Sequence, residues 1–239
     1  MEKRELLYQG KAKDVYATCN PDYLVIEFKD DATAFDGLKR GQITNKGAIN
    51  NRISTIFFRL LEDNGIHTHF IKQFSDREML VKKLNILKVE VVVRNIAAGS
   101  LSRRLGIEEG RELNKPILEF YYKDDALKDP MINEYYIYAL GLATPEQVSE
   151  ITYLAFRIND ILKAYLLSKK MLLVDFKLEF GLYQGILMLG DEISPDTCRF
   201  WDISSLDKLD KDRFRRDLGG VTEAYAEVLK RLEGAPDAL

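Results

Sequence analysis

Cysteine is nearly absent from the chain. Cys19 and Cys198 are the only two, far apart and in no metal-ligand spacing, which excludes a disulfide framework or a thiolate zinc site and fits free thiols in a reducing compartment. Histidine is equally scarce: His67 and His69 alternate as in a strand and have no third ligand, so neither zinc nor a histidine-based triad has support. No apolar run approaches the roughly 18 residues of a membrane span, and the opening MEKRELLYQG is charged. The expectation is a cytoplasmic protein with no membrane partner. An excess of positive charge is missing too. Lys and Arg number 35 against 38 Asp and Glu, a formal charge of -3, which argues against nucleic acid as a partner and makes any anion site local. Neither G-x-x-x-x-G-K-[ST] nor G-x-G-x-x-G occurs, so P-loop and Rossmann phosphate binding do not apply.

What is present is a core-forming pattern, with 46% hydrophobic residues in 239. Short strands are expected at 6–8, 14–17 and 23–28, punctuated by Gly10 and Asn20-Pro21. From Asn45 to Asn64, Ile49, Ile53, Ile56, Phe57, Leu60 and Leu61 recur at helical spacing, with Gly65 as the residue after the cap. MLVKKL and VEVVVRN return to strand character. Ser100 is placed to cap a short helix ending at Gly106. Thr144-Pro145-Glu146-Gln147 has the form of a capping box for a helix reaching Tyr165. Two helical segments close the chain, near 210–218 and 221–232. Antiparallel strands and long helices without βαβ alternation predict an α+β fold, with a lobe boundary near Leu84 to Leu87.

The stretch LLVDFKLEFG, residues 172–181, alternates from Val174 to Phe180. Extended, it puts Val174, Phe176, Leu178 and Phe180 on one face and Asp175, Lys177 and Glu179 on the other. Tyr183-Gln184-Gly185 and ILMLGDE follow, a strand, a tight turn and a second strand. With Gln184-Gly185 as a two-residue turn, Glu179 lies opposite Gly190 and diagonal to Asp191; a one-residue bulge would set the two acids face to face. Either register brings two carboxylates together, which calls for a cation such as Mg²⁺ sharing phosphate oxygens. The competing reading is a half-solvated strand with ordinary polar alternation.

Phosphate has two candidate seats. YQGKAKDVY offers Lys11 and Lys13 on a turn after a glycine, a pattern that also describes any solvated hairpin. Arg94 ends an apolar strand shortly before Ser100, joining a guanidinium to a helix start, or else Arg94 pairs structurally with an acid such as Glu90. Arg199 and the cluster Arg213, Arg215 and Arg216 are placed to add to that site. Cys198 beside Arg199 is taken as incidental, and the tyrosines at 121, 122, 135, 136 and 138 as packing and lobe-interface surface.

In order and spacing, YQGKAKDVY, DDATAFDG, KGAINNRIS, GIHTHF, VEVVVRNIAAGSLSRRLG, YKDDALKDP, LVDFKLEFG, GDEISPDTCRFWD and LDKDRFRRDLGG resemble the SAICAR synthetase family of purine biosynthesis, across nearly the whole chain. The resemblance implies an ATP-dependent ligase that joins the carboxylate of carboxyaminoimidazole ribonucleotide (CAIR) to the amine of L-aspartate with Mg²⁺. It also implies a kinase-like antiparallel ATP-holding lobe, residues 1–86, a larger α+β lobe, residues 87–239, the active site in the cleft between them, and a homodimer. By the same resemblance Gly10, Lys11, Ala12, Lys13, Val15, Val81, Lys82, Leu84 and Lys123 hold ATP, and Glu179 and Asp191 hold the metal. Asp36, Glu90, Arg94, Ser100, Asp175, Lys177, Arg199 and Arg215 bind the other substrates, and Lys177, Asp175 and Lys13 carry the chemistry. No residue is assigned to L-aspartate or to a general base. A small-molecule kinase and a non-catalytic nucleotide-binding module are the rival classes.

Overall fold

The computed structural model describes residues 1–34 and 37–234. In chain order the strands and helices are β1 (Lys3–Gln9), β2 (Lys13–Thr18), β3 (Tyr23–Phe28), β4 (Asp31–Ala34), β5 (Lys39–Gln42), α1 (Lys46–Asp63), β6 (Phe70–Gln73), β7 (Glu78–Lys82), β8 (Asn85–Ile96), α2 (Gly99–Leu105), β9 (Glu112–Tyr122), β10 (Met131–Ile132), α3 (Glu134–Ala139), α4 (Pro145–Ser168), β11 (Met171–Tyr183), β12 (Ile186–Leu189), β13 (Cys198–Asp202), α5 (Asp212–Arg215) and α6 (Val221–Glu233). A five-stranded antiparallel sheet runs β1-β2-β3-β7-β6, and a six-stranded one runs β10-β9-β8-β11-β12 with β13 also on β11. The fold is α+β, as the absence of βαβ alternation predicts. One apolar core, including Phe28 and Met79 from the first sheet and Val91 and Phe176 from the second, is continuous through both.

Strand β11 is the central element of the second sheet. Its apolar face is buried as the alternation requires, with Val174, Phe176, Leu178 and Phe180 each 1% exposed or less. Burial of such a side chain contributes about 1.5–3 kcal/mol, which fixes the face and therefore the register. Gln184 and Gly185 both take positive φ, 51° and 82°, and Tyr183 pairs with Ile186. The connection is the two-residue turn, and Gly190 donates to the Glu179 carbonyl at 2.8 Å. Asp191 is therefore diagonal to Glu179. The polar face is not half-solvated: Asp175 and Glu179 are buried. Within the sheet, β8 pairs with one edge of β11, and β12 and β13 share the other. Where β12 leaves and β13 arrives, the loop of residues 190–197 returns to β11 at Lys177, whose N–H donates to the Thr197 carbonyl at 2.9 Å.

Other expectations fare differently. Thr144 caps α4 with the reciprocal Gln147 bond and Pro145 in the first turn, and the helix runs on to Ser168. Gly65 follows α1 with φ 77°. Ser100 does not cap α2, because the helix begins a residue earlier, at Gly99, after an extended Ala98 that makes no side-chain cap. The segment expected as a helix over 210–218 folds only over Asp212–Arg215. Tyr135, Tyr136 and Tyr138 on α3 are exposed rather than packed.

Candidate active site

A cavity of about 650 Å³ lies between the two sheets. At one end the turn before β2 supplies Gly10, Lys11 and Ala12, β2 supplies Lys13 and Val15, and β7 with its exit supplies Val81, Lys82 and Leu84. The turn is held by backbone bonds: Gly10 N–H donates to the Lys13 carbonyl and Lys29 N–H to that of Ala12, both at 2.8 Å. Leu24 and Ile26 of β3 add an apolar wall, the mixture of apolar lining and a few placed charges that small-molecule sites favour. Lys11 reaches across to Asp125 at 2.7 Å, an exposed pair.

The middle of the cavity is a lysine–carboxylate cluster. On neighbouring strands Glu179 sits directly opposite Glu90, a like-charge pair that is unfavourable unless a cation lies between. Lys177 provides it, at 2.6 Å from Glu90 and 2.9 Å from Glu179. Lys123, just past β9, adds a bond of 2.8 Å to Glu179. From the other sheet Lys13 pairs with Asp191 and, at 2.8 Å, with Glu192. Burial opposes the charge on Lys177, but Glu179, Asp191 and Glu90 outweigh it and hold the ammonium well above its ordinary range. Burial likewise opposes ionisation of Asp191, and Lys13 and Lys177 hold that carboxyl well below the usual range. Glu179 feels burial and the repulsion of Asp191, yet Lys177 and Lys123 keep it ionised. Glu179 and Asp191 are thus charged and mutually repelling, restrained by lysines, whereas burial raises the Glu90 carboxyl.

The far end is built on arginine. Arg94 of β8, Asp175 of β11 and Arg199 of β13 lie in one row across three adjacent strands. Asp175 accepts from Arg94 at 2.6 Å and from Arg199 at 2.9 Å. Arg94 also donates to Glu119 at 2.7 Å and to the Ser100 hydroxyl at 3.0 Å. Arg199 donates to Asp212 at 2.8 Å, and Arg215 donates to the other oxygen of Asp212. Burial opposes charge on Asp212, but Arg199 and Arg215 bring its carboxyl down to about 2. These forks have fixed directions suited to planar or tetrahedral anions.

Of the described residues that the family resemblance assigns, all but Ser100 line this cavity. Ser100 stands behind it as an acceptor for Arg94. Asp36 lies outside the described residues. The alternative for Arg94 resolves into both readings: it pairs with acids, Glu119 and Asp175 rather than Glu90, and it lines the cavity. The C-terminal arginines separate, since only Arg215 faces the cavity, while Arg213 binds the carbonyls of Gly219 and Lys208 and Arg216 binds Glu109.

Several wall residues carry no assignment from sequence. His69 belongs to the wall; its ring lies edge-on to Phe58, and burial lowers its pKa to about 4, so it stays neutral. Lys211 also lines the cavity, 3.7 Å from Asp196, which in turn pairs with buried Lys46 at 2.7 Å. Burial, with Arg215 and Lys46 nearby, lowers the Lys211 pKa. The acid-rich GDEISPD loop was the available signal for Glu192 and Asp196; nothing local marks Glu119 or Asp212. Cys198 is buried, and burial pushes its thiol up despite the neighbouring Arg199.

Among the described residues no group of three or more His, Cys, Asp or Glu is arranged to hold a metal. A pair of carboxylates such as Glu179 and Asp191 still suits Mg²⁺, which keeps waters and shares phosphate oxygens rather than taking an all-protein cage. Among the described residues no helix is long and apolar enough to cross a membrane.

The SAICAR synthetase family model matches residues 6–232. A phosphoribosylaminoimidazole-succinocarboxamide synthase from Thermoanaerobacter sp. (strain X514) is 61% identical over 234 residues, 98% of this chain and all of that one. The crystal structure of such a synthase from Ehrlichia chaffeensis superposes with a TM-score of 0.95 at 48% identity, over 98% of this chain and 100% of the other. A SAICAR synthetase solved in complex with ADP gives a TM-score of 0.93 at 50% identity, with the same coverage. The chain belongs to the SAICAR synthetase family.

Proposed function

We propose that this enzyme condenses CAIR with L-aspartate in purine biosynthesis, converting ATP to ADP and phosphate, through an acyl phosphate of CAIR. The observation that carries the reading is the single cavity in which a lysine–carboxylate cluster adjoins an arginine-lined socket. A carboxylate is anionic and lacks a leaving group, so activation requires a phosphoryl donor, and positioning with charge neutralisation supplies most of phosphoryl-transfer catalysis. ATP is assigned to the Gly10–Val15 turn and strand, Val81, Lys82, Leu84 and Lys123, in keeping with the ADP-bound relative. CAIR is assigned to Arg94, Ser100, Asp175, Arg199 and Arg215, with Glu90 alongside and Asp36 where it meets aspartate. On the family resemblance we also assign two lobes, residues 1–86 and 87–239, with the site in the cleft between them, and assign the chain to the cytoplasm as a homodimer.

In this reading a CAIR carboxylate oxygen attacks the γ-phosphorus and ADP leaves. The aspartate amine then attacks the acyl carbon, the C–O bond to phosphate breaks, and the amine proton is lost. Lys177 holds the reacting carboxylate, Asp175 orients the nucleotide through Arg94 and Arg199, and Lys13 neutralises phosphate. Glu179 and Asp191 would hold Mg²⁺, which supplies charge neutralisation on the phosphoryl oxygens. The acyl phosphate is tested with CAIR carrying ¹⁸O in its carboxylate: one label must appear in the released phosphate. Unlabelled phosphate would remove that intermediate.

A further inference from the structure

Two carboxylates that do not line the cavity are tied to every arginine that does. Glu119, on β9, accepts from Arg94 Nε at 2.7 Å and from Tyr121 at 2.8 Å, and also pairs with Arg104. Asp212, at the start of α5, accepts from Arg199 Nε at 2.8 Å and from Arg215. Their side chains are 4% and 2% exposed. With Asp175 between Arg94 and Arg199, the hydrogen-bonded order is Glu119, Arg94, Asp175, Arg199, Asp212, Arg215, acid and base alternating throughout.

The donors left over point to the purpose of this chain of pairs. Among the described residues, Arg199 Nη2 and the Nε and Nη2 of Arg215 make no hydrogen bond, so the acids consume other edges and leave these for a ligand. Asp212 is itself fixed, its backbone N–H donating at 2.7 Å to buried Asp210, which also accepts from Phe200 N–H at 3.0 Å. On the other flank the Arg199 guanidinium lies flat against Gly99. A Cβ there would meet Nη2 at 2.4 Å, and Gly99 has φ +56°, so this position admits no side chain without moving the arginine.

We propose that Glu119 and Asp212 are positioning residues: Asp212 directly, and Glu119 through Arg94 and Asp175, orient the free N–H edges of Arg199 and Arg215 toward the phosphate monoester of the ribonucleotide substrate. The proposal rests on the CAIR reading above. An arginine fork gains its specificity from direction, and a recognition group held loosely by its supporting shell loses it. Neither acid touches the substrate, so each acts through its arginines.

The test uses Glu119→Gln and Asp212→Asn, which keep size and one acceptor oxygen but release the guanidinium, together with Gly99→Ala, which displaces Arg199 without removing a charge. The expected result is a KM for CAIR raised by about tenfold or more, with the KM for ATP and kcat at saturating CAIR within twofold of wild type. Asp212→Glu should recover part of the loss. Equal losses for all substrates, or losses that track thermal stability and appear in none of the CAIR constants, would overturn it. Should an amide variant fail to fold, Gly99→Ala and Asp212→Glu carry the same prediction. Calorimetric titration of inorganic phosphate into wild type and variants separates the two readings. Weakened phosphate binding in the variants supports the positioning role even where wild type fails to turn over CAIR, and unchanged phosphate binding refutes it even where wild type succeeds.

Discussion

The two halves of the cavity are both built from buried ion pairs, yet they differ in kind. In the middle, Lys13, Lys123 and Lys177 face Glu90, Glu179, Asp191 and Glu192, one acid in excess. At the far end Arg94, Arg104, Arg199 and Arg215 hold Glu119, Asp175 and Asp212, one base in excess. The first imbalance suits a divalent cation and the second an anion. The side chains differ to match: an ammonium on a flexible stem can exchange a carboxylate for a phosphate, whereas a guanidinium braced on several sides keeps its direction. The lysine cluster also spans both sheets through Lys13, while the arginine row sits on strands of one sheet and on α5. One half is arranged for exchange of partners, the other for fixed recognition.

Mutations should separate the halves. Lys177→Ala is expected to be the most damaging, reducing kcat by about 10²–10³-fold, since on the proposed assignment it removes a donor at the reacting carboxylate, and it leaves Glu90 and Glu179 facing each other. Steady-state kinetics with all three substrates checks it, and near-wild-type kcat would end that assignment. Glu179→Gln should move the Mg²⁺ titration midpoint by about tenfold or more, with the KM for CAIR little changed; an unaltered midpoint would place the metal elsewhere. Arg199→Lys preserves charge but loses the fork that joins Asp175 to Asp212. It should raise the KM for CAIR by roughly tenfold, with no effect on the metal titration.

The arginine end also carries a pH signature. Burial, then the neighbouring Asp212, raises the Asp210 pKa to about 7, against about 3.9 in an unfolded chain. Between these values the native state keeps a proton that the unfolded chain has released. The stability Asp210 contributes is therefore complete below about pH 4 and lost as pH rises through about 7. Asp212 has the opposite sign, its contribution present above about pH 4 and lost as pH falls toward 2. Urea midpoints at pH 5 and pH 8 should differ less in Asp210→Asn than in wild type. The smallest effect is expected from Thr144→Ala, which removes the α4 cap far from both halves: about 1 kcal/mol of stability, with kinetics unchanged.

Features set by local pattern were legible in the sequence. Alternation in LLVDFKLEFG from Val174 to Phe180 defines both faces of β11, and the Tyr183-Gln184-Gly185 turn fixes which residues meet across it. The capping box at Thr144 identifies the start of α4. Strand β9 escaped, because ELNKPILEFYY lacks clean alternation and contains Pro116, tolerable here because β10 pairs only with Phe120 and Tyr121 farther along. The supporting acids are invisible for a related reason. Glu119 lies 25 residues from Arg94 and Asp212 lies 13 from Arg199, and only tertiary packing turns such ordinary charges into partners. Two histidines two residues apart give no sign of a metal site, and the sequence could not show that His69 lines the cavity.

The central claim is that both halves serve one ligation. Its most direct measurement incubates the purified enzyme with ATP, CAIR and Mg²⁺, with and without L-aspartate, following ADP and the succinylated nucleotide together. One succinylated product per ADP is expected, formed only when aspartate is present. ADP released at the same rate without aspartate, alongside a stable phosphorylated nucleotide, would contradict the claim and assign the cavity to a kinase.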